Sequence, residues 1–295
     1  MQDPKMLAQI KQGAGFIAAL DQSGGSTPGA LRGYGVGEDA YSNDEEMFAL
    51  IHKMRSRIIT SPCFNGQKVI GAILFEKTMD GEADGKPVPK LLWERGVVPF
   101  LKVDKGLEDE ADGVKMMKPI PDLDALCERA VKKGVFGTKM RSVIEHASLT
   151  GIAAIVEQQF VIAEHIARHG LMPIIEPEVS INSPERAEAE DILLVELTKA
   201  LGELPEDREV MLKLTLPVRA GLYTPLVDHP RIARVVALSG GFTREEACRE
   251  LAKNHGMIAS FSRALLADLR AQMRDEEFDN TLGTAIEEIY RASMA

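Results

Sequence analysis

Lys213 stands in the middle of VMLKLTLP (210–217), an otherwise apolar run closed by a proline. An ammonium group in such a run must leave water, which is costly unless the group is paired, deprotonated or put to chemical use. The same oddity recurs along the chain. Lys102 and Asp104 close VVPFLKV (97–103), Lys139 and Arg141 interrupt VFGTKMRSV (135–143), and Glu176 and Glu178 sit in LMPIIEPEV (171–179). Asp21 ends GFIAAL (15–20) and opens QSGGST; Ser239-Gly240-Gly241 ends IARVVALSG (232–240); Ser260, Ser262 and Arg263 punctuate MIASFSRAL (257–265). A lysine amine becomes nucleophilic when desolvation and nearby cations depress its pKa from about 10.4 toward roughly 7–8. Its natural target is a carbonyl carbon, giving a Schiff base. Lys213, flanked by Leu212 and Leu214 and expected to face Lys139, fits that description, and Glu176 in the neighbouring strand is placed to shuttle protons. The LSGG turn (238–241) with Arg263 offers backbone N–H groups and a guanidinium suited to phosphate, and SGGS (23–26) with Lys102 offers a second such site. Phosphate sites on both sides of an imine-forming lysine point to a bisphosphorylated sugar as ligand.

These residues need elements that bring them together. The apolar runs named above, with VIGAILF (69–75), number eight, and amphipathic stretches lie between them. EEMFALIHKMRSRI (45–58), IAAIVEQQFVIAEHIARHG (152–170), PERAEAEDILLVELTKAL (184–201) and TREEACRELAKNHG (243–256) repeat apolar residues at three- and four-residue spacing, which predicts helices. Asn182-Ser183-Pro184 and the Thr243/Glu246 capping box supply starts; Gly170 and Gly256 supply stops. Strands alternating with helices predict a parallel sheet with right-handed crossovers. Eight such units favour an α/β fold of the (β/α)8 TIM-barrel type over an open sheet, as a single catalytic domain over 1–295. A helix over 4–12 and a helical C-terminus over 275–293 would be additions. In such a barrel the site forms at the C-terminal strand ends, which is where the polar intrusions fall. Period-2 alternation puts Lys139 and Arg141 on one face, and likewise Glu176 and Glu178.

Composition excludes several function classes. A net charge of −10 with no Lys/Arg-rich run argues against a nucleic-acid partner. No segment approaches the roughly 20 apolar residues of a membrane span, and the N-terminal stretch lacks an export-type apolar core, so a cytoplasmic protein is expected. Cys63, Cys127 and Cys248, odd in number and far apart, read as free thiols.

With these residues assembled, the sequence resembles class I fructose-1,6-bisphosphate aldolase, in the short form found in bacteria. ALDQSGGST, LKVDKG, GTKMRS, IIEPE, LKL, LSGG and SFSRAL occur in the family's order and spacing across nearly the whole chain. Residue types alone leave Lys139 as a rival nucleophile, although the apolar flanks favour Lys213; the resemblance implies Lys213. It further implies Glu176 as the acid/base of carbinolamine dehydration. Asp21 would be the base that takes the C4 hydroxyl proton, with Lys139 supporting both by charge and Glu178 beside them. Ser239, Gly240 and Arg263 match the family's C1-phosphate site, and Ser23, Ser26 and Lys102 its C6-phosphate side; Arg141, Ser260 and Ser262 are expected to line the same mouth. No metal and no cofactor are implied, and the partner is a small phosphosugar. The animal enzymes carry tryptophan between the strand-four Lys and Arg, where Met140 stands here. They also carry a C-terminal tail ending in tyrosine, whereas this sequence stops at Ala295 after a predicted helix that contains Tyr290. The five residues 291–295 read as a frayed helix end. Homo-oligomerisation is left open.

Other motifs lead elsewhere. His165 and His169 have the i, i+4 spacing of a zinc pair but no HExxH glutamate, and a solvated helix face is the expectation. DGEADG (80–85) begins like a calcium loop, yet Leu91 occupies the twelfth position, so an exposed turn is expected. Two alternatives to the leading reading remain: a Schiff-base aldolase for another phosphoketose, and a barrel that binds phosphosugars without catalysis.

Overall fold

A computed structural model describes residues 3–295. Eight strands run parallel in chain order: β1 (Phe16–Leu20), β2 (Val69–Leu74), β3 (Val98–Lys102), β4 (Gly137–Ile144), β5 (Met172–Val179), β6 (Val210–Thr215), β7 (Ile232–Leu238) and β8 (Ile258–Ala259). Each pairs with the next, and the ring is completed where the Ala19 N–H of β1 donates to the Phe261 carbonyl at 3.1 Å. The result is a nearly closed (β/α)8 TIM barrel. The eighth apolar run shortens most: only Ile258–Ala259 is strand, and Arg263–Leu266 is already a helical turn. Two small pieces were not anticipated. Glu82–Ala83 pairs antiparallel with Lys86–Pro87, and Val114–Lys115 pairs antiparallel with the end of β4. The first is the DGEADG turn; Asp84 (φ 51°) and Gly85 (φ 68°) supply the left-handed pair that a two-residue hairpin requires.

Strand alternation splits the apolar residues into two cores. One lies between barrel and helices and includes Leu20, Leu74, Leu101, Leu212 and Leu214. The other fills the barrel with Ile17, Ala19, Val98, Phe100, Met172, Ile174, Met211, Val236 and Ile258. The predicted N-terminal helix forms as Pro4–Gln12, capped by the Asp3 carboxylate. Its Met6 and Ile10 join the inner core and floor it, and the Arg234 guanidinium donates to the Lys11 and Gly13 carbonyls to tie it down. Space inside is tight: a Cβ on Gly137 would lie 2.8 Å from the Phe100 ring and 2.2 Å from the Met172 carbonyl. Each fully buried aliphatic or aromatic side chain in these cores contributes about 1.5–3 kcal/mol.

The outer helices follow the predicted pattern. Asp44–Thr60 starts at Asn43, whose side chain accepts from the Glu46 N–H, and Leu149–Arg168 starts at Ser148, whose side chain accepts from the Gly151 N–H. Arg186–Glu203 begins two residues after Pro184, and Arg244–Leu251 carries the Thr243/Glu246 capping box. The C-terminal helix is Asp275–Ser293, and it is no frayed end. Ser293 Oγ accepts from the Ala259 N–H of β8 at 3.0 Å and donates to the Ile289 carbonyl, so the last turn is stitched to the barrel. Among the described residues no helix is long and apolar enough to cross a membrane.

Candidate active site

The inner faces of the strands change character at one level. Met211 is followed on its face by Lys213, Ile174 by Glu176 and Glu178, Phe100 by Lys102, and Ala19 by Asp21. The apolar filling ends there and ionisable groups continue it toward the mouth. Leu212 and Leu214, whose apolar character singled out Lys213 in the sequence, point the other way, into the core under the helices. Lys213 is buried because Met211 lies beneath it and the mouth walls surround it, leaving it 4% exposed.

Ion pairing organises the cluster. Lys139 Nζ lies 2.7 Å from Asp21 Oδ2, 2.9 Å from Glu176 Oε2 and 4.0 Å from Asp104 Oδ2. Glu176 Oε1 lies 3.0 Å from Lys213 Nζ, so one carboxylate spans both lysines. Lys102 Nζ donates to Asp104 Oδ1 at 2.6 Å and to the Asp104 carbonyl at 2.8 Å, and Arg141 Nε donates to Glu178 Oε2 at 2.6 Å. Three lysines and an arginine thus face four carboxylates, and Arg263 at the rim leaves the mouth with one net positive charge although the chain is acidic.

Burial alone would push the Asp21 carboxyl up, but the charges of Lys139 and Lys213 prevail and hold it well below the usual carboxylate range. Glu176 shows the same contest and the same outcome, lowered by Lys139 and Lys213. Lys139 is the mirror case: desolvation would lower it, yet Asp21, Glu176 and Asp104 raise it above the usual lysine range. It is therefore a permanent cation at neutral pH. Arg141, also desolvated, is raised by Glu178. The expectation that Lys139 would act on Lys213 as a bare neighbouring cation needs correcting, because Glu176 stands between them.

Every site residue expected from sequence lines one cavity of about 730 Å³ at the C-terminal strand ends: Asp21, Ser23, Ser26, Lys102, Lys139, Arg141, Glu176, Glu178, Lys213, Ser239, Gly240, Ser260, Ser262 and Arg263. Lys213 and Glu176 are at the floor, whereas Arg263 and Ser26 are exposed at the rim. The two glycine turns are built for close approach. Gly240 (φ 61°) and Gly241 (φ 119°) are left-handed, and a Cβ on Gly240 would meet Ile181 at 2.7 Å. In the other turn the Ser23 N–H donates to Ser26 Oγ and the Ser26 hydroxyl donates to the Ser23 carbonyl, which folds the SGGS loop over the mouth. Ser260 Oγ and Asp104 Oδ2 are buried without a hydrogen-bond partner among the described residues, both on the cavity wall.

Sequence reasoning missed the residues that hold this cluster in place. Arg55, fully buried, donates to the Gln22 carbonyl and side-chain oxygen and to Thr78 Oγ1 at 2.9 Å. Burial lowers its pKa to about 10, with the Asp21 charge working against that fall. Gln22 in turn donates to Ser262 Oγ, linking the ends of β1 and β8. Gln159, also buried, accepts from the Glu176 N–H at 2.9 Å and donates to Ser142 Oγ at 3.0 Å. Both signals were present: Arg55 and Gln159 fall on the apolar faces of their helices, beside Ile51 and Ile58 and beside Ile155 and Ile166. Val179 and Thr215 hold the splayed ends of β5 and β6 together through the Thr215 hydroxyl, which accepts from the Val179 N–H and donates to its carbonyl. The gap this leaves between the strands is where Glu176 and Lys213 meet.

Each carboxylate of the mouth faces an ammonium or guanidinium. The only cluster of three His, Cys or carboxylate ligand atoms among the described residues is Asp124, His165 and His169, which is outside the cavity.

A TIM barrel with lysines and carboxylates at the floor of its mouth and glycine turns and an arginine at the rim defines a barrel enzyme acting on small anionic substrates. The family is specific. The chain belongs to the class-I fructose-bisphosphate aldolases, whose family model matches residues 6–218, and it is accordingly an aldolase, a carbon–carbon lyase. Its fold is similar to that of fructose-bisphosphate aldolase from Plasmodium falciparum, solved with TRAP and a small-molecule inhibitor. There the TM-score is 0.78 at 22% identity, over 98% of this chain and 92% of that one. It is also similar to Cgl0159 from Corynebacterium glutamicum, with a TM-score of 0.58 at 16% identity, over 99% of this chain and 92% of that one.

Proposed function

We propose that this chain is a single-domain, metal-independent aldolase that cleaves fructose 1,6-bisphosphate to dihydroxyacetone phosphate and glyceraldehyde 3-phosphate through a Schiff base on Lys213. The observation that carries the reading is the Lys213–Glu176–Lys139–Asp21 chain of contacts at 3.0, 2.9 and 2.7 Å on the cavity floor. Glu176 takes a proton from the Lys213 ammonium, and the free amine attacks the C2 carbonyl of the open-chain sugar. Glu176 then returns the proton to the departing hydroxyl, so water leaves and the iminium forms. The iminium accepts the electron pair of the breaking C3–C4 bond while Asp21 takes the C4 hydroxyl proton and the aldehyde departs. Lys139, fixed as a cation, keeps both carboxylates ionised and ready as bases. Protonation of the enamine at C3 and hydrolysis of the imine release dihydroxyacetone phosphate and restore the amine.

The rim supports recognition of both phosphates. Arg263 with the Ser239–Gly240 turn suits the C1 phosphate; Ser23, Ser26 and Lys102 suit the C6 phosphate; Arg141, Ser260 and Ser262 complete the wall. Cytoplasmic glycolytic or gluconeogenic turnover follows from this substrate. The reading is tested with fructose 1,6-bisphosphate, fructose 1-phosphate and a seven-carbon bisphosphate, each assayed after prolonged EDTA treatment. Fructose 1,6-bisphosphate should give the highest kcat/KM, undiminished by chelation. Loss of activity restored by zinc overturns the mechanism, and a higher kcat/KM for either rival overturns the substrate.

A further inference from the structure

Away from the mouth, the His165/His169 pair is not the plain solvated helix face that its sequence suggests. The two rings lie nearly parallel on the helix Leu149–Arg168, 16° apart with centroids 6.2 Å from each other. Asp124, in the first turn of the neighbouring helix Leu123–Lys132, meets both. Its Oδ1 is 2.8 Å from His165 Nε2 and 2.7 Å from His169 Nε2. We propose that Asp124, His165 and His169 form a divalent-metal site of the zinc type that ties these two helices together, with water completing the coordination.

Three features support it. The donor set, two imidazoles and one carboxylate, is a known zinc set, whereas calcium and magnesium prefer oxygen alone. All three ligand atoms lie within 4.8 Å of one another. A tetrahedral zinc with bonds of roughly 2.0–2.1 Å holds its ligands about 3.4 Å apart, so Asp124 Oδ1 must draw back from each ring nitrogen, now 2.8 and 2.7 Å away, by roughly 0.6–0.7 Å. The cluster is also open on one side: Asp124 and His165 side chains are 62% and 48% exposed, which leaves room for water and a route for the ion, while His169, at 20%, anchors the inner edge. Metal-free, a single carboxylate oxygen lies against both rings, and one cation can replace both contacts at once.

The site shares no residue with the catalytic mouth, so occupancy should change stability and leave cleavage alone. The test is calorimetric titration of zinc chloride into EDTA-stripped, dialysed protein, with histidine ¹⁵N NMR as a second readout. Wild type should bind one zinc per chain, with the Nε2 resonances of His165 and His169 shifting and the thermal midpoint rising. Asp124→Ala and His165→Ala, both at exposed positions, should each weaken binding at least about tenfold while retaining wild-type kcat/KM. Absence of binding up to millimolar zinc overturns the proposal, as does binding undiminished in the double variant His165→Ala/His169→Ala or Nε2 shifts at other histidines only. Because the readout is binding and not turnover, it stands or falls independently of the aldolase mechanism.

Discussion

Replacing Lys139 by methionine removes the hub of the mouth while nearly keeping its side-chain volume. Asp21 and Glu176 lose a cation at 2.7 and 2.9 Å, and all three groups are buried. Removing one partner of a buried pair typically costs about 3–5 kcal/mol, because the other charge is left uncompensated. Glu176 keeps Lys213 at 3.0 Å, and Asp21 loses its contacting cation but keeps the charges of Lys213 and Lys102, so the lower end of that range applies. The cost should depend on pH with a definite sign. Asp21 and Glu176 are depressed in the folded protein, so their contribution is full above their unfolded pKa values of about 4 and is lost as pH falls through the folded values. Lys139 is raised, so its share is full below about pH 10.4 and is lost only as pH climbs through the folded value. Urea unfolding of wild type and Lys139→Met should therefore show a constant gap from about pH 6 to pH 9, narrowing below about pH 4. A gap under about 1 kcal/mol at pH 7, or one that widens on acidification, would refute the claim that Lys139 holds the two carboxylates ionised.

Other outcomes follow from the same geometry. Arg263→Ala removes an exposed rim residue and should leave the urea midpoint unchanged while lowering kcat/KM about 10- to 150-fold, the worth of a charge-assisted phosphate pair. The defect should vanish on a substrate lacking the C1 phosphate; an equal defect there assigns Arg263 another role. Ser293→Ala orphans the buried Ala259 N–H and should cost about 1–3 kcal/mol in urea unfolding, and deleting residues 291–295 at least as much. Unchanged stability in both would show that the last turn is frayed after all.

The barrel was legible because its signal is collective. Eight apolar runs separated by helical periodicity leave few topologies, and a capping box such as Thr243/Glu246 marks a helix start locally, whereas the Ser148 cap emerged only in the structure. The mouth was legible for a related reason: charged residues at the ends of apolar runs converge once the sheet closes. Which way a side chain points was legible only through period-2 alternation, and neighbours in sequence misled where they were used instead. Leu212 and Leu214 say nothing about the surroundings of Lys213, since they face the helices. The helices hid the supporting residues Arg55 and Gln159, because a polar residue on an apolar helix face acquires a partner only through tertiary packing. Asp124 meeting His165 and His169 was invisible for the same reason: the two helices are joined by no pattern that either carries alone.

The central claim is that Lys213, and not Lys139, is the nucleophile. Borohydride reduction in the presence of dihydroxyacetone phosphate, followed by peptide mass mapping, tests it on wild type, Lys213→Met and Lys139→Met. The adduct should sit on the Lys213 peptide in wild type, disappear in Lys213→Met, and persist at reduced yield in folded Lys139→Met. An adduct on the Lys139 peptide in wild type, or an undiminished adduct in Lys213→Met, would contradict the account.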